Sequence, residues 1–491
     1  MDEKKYLEEI ERVIARGPYS ASWESLQTVP TAKWYQSAKF GIFIHWGPYS
    51  AAAYNNEWYS RNMYIKDSDE YKHHIATYGA HKNFGYKDFI PMLTAEKFNA
   101  DEWAELFKES GAGYVVPVAE HHEGFQMYRS EISHWNAYEM GPKRDTLGEL
   151  KAAIEKRGLT LGASSHRIEH WWFMGHGRDF DSDIKEPMKR GDFYWPAHEE
   201  PENQFDSYAP NGPDEEFMTD WLLRTCEIVD KYRPSLVYFD WWIHHINARK
   251  YIKMFAAYYY NRAAEWGIEA AINYKHDSFA FGSAVPTVER GQFDEVKPYL
   301  WQTDTCCCLN SWCYTDNNQY KDSSDIVKDL VDINAKNGCM LLNIGPKADG
   351  TICENDARIL REIGAWMKVN GESIRGTRVW RVSCEGPTRI KQGQFTDGIK
   401  KEFTPRDIRY STGNGAIYAS VMKAPDDGVA RICALKLTDD KCKPDFSGEI
   451  DSVELLGYNG SLEWKQDGEA LTVVTAPVKT DMPLVYKVKV K

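Results

Sequence analysis

The sequence predicts a (β/α)₈ barrel followed by a C-terminal antiparallel β-sandwich, and three observations support this fold class. Short apolar runs alternate with segments of helical periodicity between residues 40 and 369, as in parallel βα units. After Gly376 the helical periodicity disappears, and short alternating runs separated by turn residues replace it. A chain of 491 residues also exceeds one compact core. We therefore predict a barrel with a helical leader over residues 1–375 and a β-sandwich over residues 376–491.

Eight runs rich in apolar and β-branched residues are predicted to form the barrel strands. Strands of this kind are buried on both faces, which favours continuous apolar runs over strict alternation. The eight runs lie near residues 40, 114, 159, 235, 268, 285, 300 and 339. The runs near 285 and 300 are not followed by clear helices, so a doubly wound parallel sheet is the alternative architecture.

Helix-like segments with recognisable ends separate most of these runs. Residues 101–111 begin with an acidic turn and stop at Gly111, as expected for a helix that ends in glycine. The other predicted helices of the barrel lie over residues 145–158, 217–232, 248–266, 324–337 and 355–369.

Residues 174–213 form a stretch that is too long for an ordinary connection between a strand and a helix. The stretch is rich in Asp, Glu, His, Pro and Gly, so it offers little apolar surface to bury. We expect it to cover the mouth of the barrel as a lid or substrate-facing insertion, with a surface excursion as the alternative.

Composition and charge argue against several classes of function. The formal net charge of -13 argues against nucleic acid or an anionic membrane surface as a partner. No apolar run of about 18 residues is present, so no membrane-spanning helix is predicted. The charged N-terminus lacks the apolar core of a secretory signal, and the ten cysteines show no C-x-x-C pairing. We expect a cytoplasmic protein, or a secreted one already trimmed of its signal.

Polar residues follow the predicted strands at the points where these strands end. His45 follows the first strand, His121 and His122 follow the second, Asp240 follows the fourth, and Glu289 ends the sixth. The carboxyl ends of barrel strands form the active face of such folds, so we expect these side chains to meet. Two carboxylates among histidines fit hydrolysis of a glycosidic bond, because one can attack or act as base while the other protonates the leaving oxygen.

Five motifs carry a resemblance to a known family. In chain order they are FGIFIHWG at 40–47, EWY at 57–59, HHEGF at 121–125, YFD at 238–240, and LLNIGP at 341–346 with DG at 349–350. Together they resemble, in order and spacing, the retaining α-L-fucosidases of glycoside hydrolase family 29. The resemblance covers roughly residues 30–376, and a β-sandwich is the usual companion domain of that family.

The resemblance implies the roles of the site residues. Asp240 matches the catalytic nucleophile of the family, and Glu289 is assigned as its general acid/base. The histidines match ligands of fucose hydroxyls, and Trp301 is expected to pack on the methyl face of the sugar. The implied substrate-binding residues are His45, Glu57, Trp58, His121, His122 and Trp301.

The sequence departs from the family pattern at several places. Glu120 and Glu123 flank the histidine pair where members often have Lys and Asp. His166 follows the third strand in place of a tyrosine-rich end, so a sugar contact is either missing or supplied by His166. Lys275 is a loose match to an arginine near the nucleophile. These departures bear on substrate detail more than on reaction class.

The resemblance also implies a reaction. An exo-acting α-L-fucosidase would release terminal fucose from oligosaccharides or glycoconjugates by double displacement, with a covalent fucosyl-enzyme intermediate and no cofactor or metal. The two carboxyl groups should then lie about 5–5.5 Å apart. One alternative is a related retaining glycosidase for a similar sugar such as galactose, and another is a non-catalytic sugar-binding protein. A third is a metal-dependent barrel hydrolase whose ligands would be His45, His121, His122 and Asp240.

Overall fold

The computed structural model describes residues 2–438 and 446–491. In this part of the chain, eight parallel strands form a closed barrel in sequential order, so the predicted barrel is confirmed and the doubly wound sheet is excluded. The barrel closes because β1 (Phe40–Ile44) pairs with both β2 (Tyr114–Glu120) and β8 (Gly338–Ile344). The other barrel strands are β3 (Thr160–Ser165), β4 (Leu236–Phe239), β5 (Ala271–Tyr274), β6 (Val285–Glu289) and β7 (Trp301–Cys306).

The helices surround the barrel, except after β5 and β6, where loops connect the strands. The missing helix after β6 is confirmed, but the one expected to be missing after β7 is present, because α12 lies between β7 and β8. The α-helices are α1 (Glu3–Arg16), α2 (Trp23–Leu26), α3 (Lys33–Ala38), α4 (Tyr49–Ala52), α5 (Tyr59–Asn62), α6 (Asp69–Tyr78), α7 (Ala100–Glu109), α8 (Thr146–Lys156), α9 (His170–Phe173), α10 (Glu215–Tyr232), α11 (Arg249–Trp266), α12 (Ser323–Ala335) and α13 (Glu354–Asn370). Among the described residues, no helix combines the length and apolar character that a membrane crossing requires.

The interior of the barrel is filled by side chains and sealed at its amino end. Helix α3 lies under this end, where the hydroxyl of Tyr35 donates to Gln302 Oε1 over 2.6 Å. The hydroxyl of Tyr114 donates to the same oxygen over 2.9 Å, so this buried amide oxygen is satisfied. Above these polar groups, Phe43, Leu236 and other apolar side chains pack together. In the described part of the chain, this packing closes the amino end of the barrel to a ligand.

The C-terminal part is an antiparallel sandwich, as predicted. The strands are β9 (Arg378–Glu385), β10 (Ile408–Gly413), β11 (Ala416–Val421), β12 (Val429–Ile432), β13 (Ile450–Leu455), β14 (Glu463–Gln466), β15 (Leu471–Val474) and β16 (Leu484–Val490). Within the described residues, one sheet has the strand order β13-β16-β11-β10-β9 and the other has the order β12-β15-β14. Apolar residues of both sheets form one core, in which Ile408 and Tyr486 meet Leu471 and Val473.

The connection between β9 and β10 returns to the open end of the barrel. Gly393 forms a β-bridge with Gln292, just beyond the end of β6. A Cβ atom at Gly291 would lie 1.8 Å from the carbonyl oxygen of Gly393, so this approach requires glycine. The division at residues 375 and 376, between the end of α13 and the start of β9, stays a prediction. The connection between β9 and β10 thus brings a part of the C-terminal domain to the carboxyl ends of the barrel strands.

Candidate active site

A pocket of about 520 Å³ opens at the carboxyl ends of the barrel strands. Seven of the eight predicted site residues line it: His45, Glu57, Trp58, His121, His122, Asp240 and Glu289. The other lining residues are Phe43, Asn56, Arg61, Asn62, His166, Gln204, Phe205, Tyr238, Trp241, Trp242, Asp304, Trp312 and Phe395. The ends of strands that are far apart in the sequence thus converge on one cavity.

A larger cavity of about 800 Å³ lies on the C-terminal domain, between Glu385 and Arg431. Of the described residues that line it, none is aromatic, and its charges are a mixture of Asp, Glu and Arg side chains. The barrel pocket is smaller, but it combines aromatic walls with converging carboxylates and histidines. We therefore take the barrel pocket as the candidate active site.

Asp240 is held in place by a histidine of the neighbouring strand end. Its Oδ2 lies 2.9 Å from His166 Nδ1, and the Nε2 of His166 lies 3.0 Å from the hydroxyl of Ser164. Burial lowers the pKa of His166, so the ring is neutral, donates from Nδ1 and accepts from Ser164. Burial alone would raise the pKa of Asp240, but contacts with His166 and Lys275 hold it well below its usual range. Asp240 is therefore ionised, as a nucleophile must be.

His122 carries a positive charge in this pocket. Its Nδ1 lies 2.7 Å from Glu169 Oε2 and 3.1 Å from the carbonyl oxygen of His166, and its Nε2 lies 3.5 Å from Asp240 Oδ2. All of these partners are acceptors, so both ring nitrogens hold protons. Burial opposes this charge, but Glu169, Asp240 and the carbonyl oxygen of His166 together outweigh burial and raise the pKa of His122 to about 9.

Lys275, at the end of β5, joins the two predicted catalytic carboxylates. Its Nζ lies 3.6 Å from Asp240 Oδ1 and 2.5 Å from Glu289 Oε2. These two oxygens can be no farther apart than both distances together, about 6.1 Å. Glu289 Oε2 also accepts from Trp241 Nε1. Lys275, which the sequence analysis matched to a family arginine near the nucleophile, thus contacts both carboxylates.

Asp304, which the sequence analysis did not assign, completes this cluster from β7. Its Oδ2 accepts from Lys275 Nζ over 2.8 Å and from the hydroxyl of Tyr238 over 3.1 Å. Burial raises the pKa of Asp304 to about 7, and the nearby charge of Glu289 adds to this shift. Three carboxyl groups, those of Asp240, Glu289 and Asp304, surround the single ammonium group of Lys275. Asp304 therefore retains a proton close to neutral pH.

The remaining histidines are oriented by polar residues behind the pocket. His45 Nδ1 donates to Asn343 Oδ1 over 2.7 Å, which leaves Nε2 as an acceptor. The amide nitrogen of Asn343 donates to the carbonyl oxygen of Trp312, whose backbone nitrogen donates to Glu57 Oε2 over 3.0 Å. These bonds connect β1, β8 and the loop after β7. His121 Nδ1 contacts Glu123 Oε2 over 3.1 Å. Glu123, which departs from the family pattern, thus orients His121, which is a predicted ligand of the sugar.

Comparison with known proteins agrees with this geometry. The family model described as α-L-fucosidase matches residues 7–372, and the one described as α-L-fucosidase C-terminal domain matches residues 400–491. The chain belongs to the α-L-fucosidases, glycoside hydrolase family 29. The plasma α-L-fucosidase of Pongo abelii is 31% identical over 460 residues, covering 91% of this chain and 86% of the relative. The tissue α-L-fucosidase of Rattus norvegicus is 28% identical over 477 residues, covering 94% and 90%.

A solved structure of the family shares the whole architecture. The crystal structure of Thermotoga maritima α-fucosidase is similar at a TM-score of 0.74 and 28% identity. The similarity covers 96% of this chain and 100% of that chain. The barrel and the sandwich of this fucosidase family member therefore both have counterparts in a known glycoside hydrolase.

Trp301 is the predicted site residue that the structure does not bring to the pocket. It is the first residue of β7, so it lies at the sealed amino end of the barrel. The indole is completely buried, donates from Nε1 to the carbonyl oxygen of Lys336 over 2.9 Å, and packs on Phe293. The assignment of Trp301 to the sugar methyl face is therefore corrected. Trp312 supplies an aromatic wall instead, with its ring 5.2 Å from that of His45.

The backbone is strained immediately after the catalytic strand ends of this fucosidase family member. Trp242 has a φ of 70°, His276 a φ of 54° and Arg290 a φ of 45°, although none of them is glycine. Bulky residues rarely adopt this left-handed region, and they persist there when surrounding contacts enforce it. The three positions follow Asp240, Lys275 and Glu289 by one or two residues. The sharp turns point successive strand ends into a single pocket.

The histidine cluster raises the question of a metal site. Among the described residues, two groups have ligand atoms within 4.8 Å of one another: His45, His121 and His166, and His122, His166 and Asp240. Both groups share His166, whose two ring nitrogens already bond to Asp240 and Ser164. His122 is the charged ring described above, and a protonated nitrogen cannot bind a metal. The hydrogen bonds of these rings therefore fit sugar hydroxyls better than a metal ion.

The 174–213 insertion borders the pocket, as expected for a substrate-facing segment. Gln204 and Phe205 line the cavity directly. Glu200 binds the Arg61 guanidinium through both carboxylate oxygens, at 2.6 and 2.9 Å, and accepts from Gln204 over 2.6 Å. A half-buried bidentate pair of this kind fixes the insertion against the wall of the pocket. Sequence patterns mark the insertion but not which of its residues reach the cavity.

Proposed function

We propose that this protein is an exo-acting, retaining α-L-fucosidase that releases terminal α-L-fucose from oligosaccharides or glycoconjugates. Its membership of the fucosidase family supports the sugar, as does the similarity to Thermotoga maritima α-fucosidase in complex with fucose, at 28% identity and a TM-score of 0.73. That similarity covers 96% of this chain and 99% of that chain. The pocket lies at the carboxyl ends of the strands, above the packed barrel interior, and this position supports removal of terminal residues.

The observation that carries the retaining mechanism is the contact of Asp240 and Glu289 with one ammonium group. The upper bound of about 6.1 Å between their oxygens lies below the ~6.5 Å at which inverting glycosidases begin. Inverting enzymes need the larger spacing because a water molecule attacks from beside one carboxylate. The short spacing instead favours direct attack by a carboxylate on the sugar.

In the proposed first step, an oxygen of Asp240 attacks the anomeric carbon as the bond to the leaving oxygen breaks. Glu289 gives its proton to that oxygen, so the leaving group departs as a neutral alcohol. In the second step, water gives a proton to Glu289 and attacks the anomeric carbon, which breaks the ester bond to Asp240. Two displacements at the same carbon retain the configuration.

The electrostatics of the site are suited to these steps. Lys275 and the imidazolium of His122 keep Asp240 ionised before the attack. Burial raises the pKa of Asp304 to about 7, so this carboxyl group takes up a proton near neutral pH. Glu289 and Asp304 contact the same ammonium group of Lys275, which places this proton close to the proposed acid.

A covalent trap tests the proposal directly. Incubation with 2-deoxy-2-fluoro-α-L-fucosyl fluoride should add one fluorofucosyl group per chain, and the peptide that contains Asp240 should carry it. The variant Asp240→Gly should remain unlabelled. Labelling of another residue, or no labelling by an enzyme that hydrolyses aryl α-L-fucosides, would contradict the assignment of Asp240.

Azide rescue separates the two carboxylates. With an aryl α-L-fucoside, Asp240→Gly should give β-fucosyl azide, because azide enters from the face that the nucleophile leaves empty. Glu289→Ala should give α-fucosyl azide, because azide attacks the fucosyl-enzyme without needing a base. The sugar itself is tested by aryl β-D-galactoside, and faster hydrolysis of this substrate than of the fucoside would overturn the proposed specificity.

A further inference from the structure

We infer that two exposed rings, Phe205 of the insertion and Phe395 of the C-terminal domain, hold the leaving sugar over Glu289. The leaving sugar is the second sugar of the substrate, to which fucose is linked before cleavage. This inference rests on the proposed function, because it assigns the second ring of the fucosidase substrate. It predicts that the C-terminal domain takes part in choosing the substrate. The barrel strands alone would then bind fucose but not its neighbour.

The position of the leaving sugar follows from the chemistry of the acid. A general acid must lie within about 2.6–3.2 Å of the oxygen that it protonates. The ring attached to that oxygen therefore lies beside Glu289. Two aromatic residues are tied to Glu289 there, since Trp241 Nε1 donates to its carboxylate and the backbone nitrogen of Phe395 donates to its carbonyl oxygen over 2.9 Å. Phe395 is thus fixed next to the place where the leaving sugar must lie.

Phe205 and Phe395 expose apolar surface at the mouth of the pocket. Phe205 is 46% exposed and Phe395 is 63% exposed, and both line the cavity. The Phe205 ring also lies 5.5 Å from the rings of Trp241 and His276. Exposed aromatic surface at the rim of a polar pocket marks a binding site. A pyranose ring presents a face of C–H bonds that can pack on such rings, whereas a small alcohol does not.

The backbone around Phe395 is built to hold this ring in place. Its φ of 54° is unusual for a bulky residue, so neighbouring contacts must enforce it. The backbone nitrogen of Thr396 donates to the carbonyl oxygen of Arg290 over 2.6 Å, and Asp397 pairs with the Arg290 guanidinium at 3.3 Å. Gln394 Oε1 accepts from the backbone nitrogen of Glu289. The residues on both sides of Phe395 are therefore bound to the end of β6.

The test compares substrates with and without a leaving sugar. We would measure kcat/KM for α-L-fucosyl fluoride and for α-1,2-, α-1,3-, α-1,4- and α-1,6-linked fucosyl disaccharides. Phe205→Ala and Phe395→Ala should each lower kcat/KM for the best disaccharide about fivefold, because each removes one ring from the contact. Hydrolysis of the fluoride should stay within about twofold of wild type, since fluoride has no ring.

Phe281→Ala is the matched control, because Phe281 is 59% exposed but packs on Tyr299 outside the pocket. It should leave both substrates unchanged. Phe395→Tyr retains the ring and should restore the disaccharide rate, which separates loss of the ring from loss of folding. Equal losses on fluoride and disaccharide, or no loss on either, would overturn the inference. Failure of the wild type to hydrolyse any fucoside would instead overturn the proposed function, and the inference with it.

Discussion

His166 donates a hydrogen bond from Nδ1 to Oδ2 of Asp240 over 2.9 Å, and this bond fixes the orientation of the proposed nucleophile. The hydroxyl of Ser164, two residues earlier, donates to the other ring nitrogen and so selects the tautomer that can bond to Asp240. The residue that replaces a tyrosine-rich strand end of the family thus acts on the nucleophile. One carboxylate oxygen is occupied, which leaves Oδ1 facing Lys275.

Substitution of the two serines at the end of β3 tests whether Ser164 acts on Asp240 through His166. Ser164→Ala removes the hydroxyl that selects the tautomer, so kcat for an aryl fucoside should fall about fivefold, the equivalent of one ordinary hydrogen bond. Ser165→Ala is the matched control, because the buried hydroxyl of Ser165 has no hydrogen-bond partner among the described residues. Its kcat should match wild type. Equal effects of the two substitutions would show that Ser164 does not act through His166.

Lys275 is expected to support both stability and nucleophile charge. Lys275→Met leaves buried carboxylates without their cation, so the free energy of unfolding should fall by about 3–5 kcal/mol in denaturant titrations. The pKa of Asp240 should also rise, because Lys275 is among the groups that lower it. The acidic limb of the kcat/KM profile should therefore move to higher pH. Lys275→Arg keeps the charge, and an identical shift in this variant would contradict the argument.

The positive charge of His122, which contacts both Glu169 and Asp240, should make stability depend on pH above neutrality. The pKa of His122 is about 9 in the folded protein and about 6.5 in the unfolded chain. A raised pKa means that the contribution is complete below about pH 6.5 and is lost as pH rises through about 9. The Tm advantage of wild type over His122→Gln should therefore shrink between these values. A Tm difference that stays constant across this range would show that the pKa of His122 is not raised.

The two tryptophans on and after β7 should behave differently. Trp312→Ala removes a wall of the pocket but keeps the backbone bonds of Trp312 to Glu57 and Asn343, so kcat/KM should fall at least tenfold, about 1.4 kcal/mol, with little change in Tm. Trp301→Phe changes the sealed end of the barrel, so it should lower Tm without changing kcat/KM. The reverse pattern would restore Trp301 as a sugar contact.

Chelation should leave the enzyme active. His166 is held by hydrogen bonds to Asp240 and Ser164, and His122 by ion-pair contacts with Glu169 and Asp240, so no metal ion is needed to place these rings. Dialysis against EDTA should leave kcat/KM for an aryl fucoside unchanged, with metal content followed by elemental analysis. Loss of activity that returns with an added divalent ion would favour the metal-dependent alternative.

The sequence by itself determined the barrel, the sandwich and most of the residues that meet in the pocket. Burial of a parallel strand on both faces produces a continuous apolar run, and that signal is local, so all eight strands were predictable. A residue that follows such a run lies at the carboxyl end of the barrel, which explains why His45, His121 and Asp240 were found. The same rule applied to Trp301 would have placed it at the amino end, because it begins its strand instead of ending it.

Only the tertiary structure decided which distant residues share the pocket and with what charge. Asp304 and Lys275 lie on different strands, and barrel closure brings them within 2.8 Å of each other. A pKa depends on such neighbours in space and on burial, neither of which a local pattern contains. Gln394 and Phe395 reach Glu289 from more than a hundred residues away, through a returning connection that no periodicity marks. The chain pattern therefore places the strand ends, and their packing produces the active site.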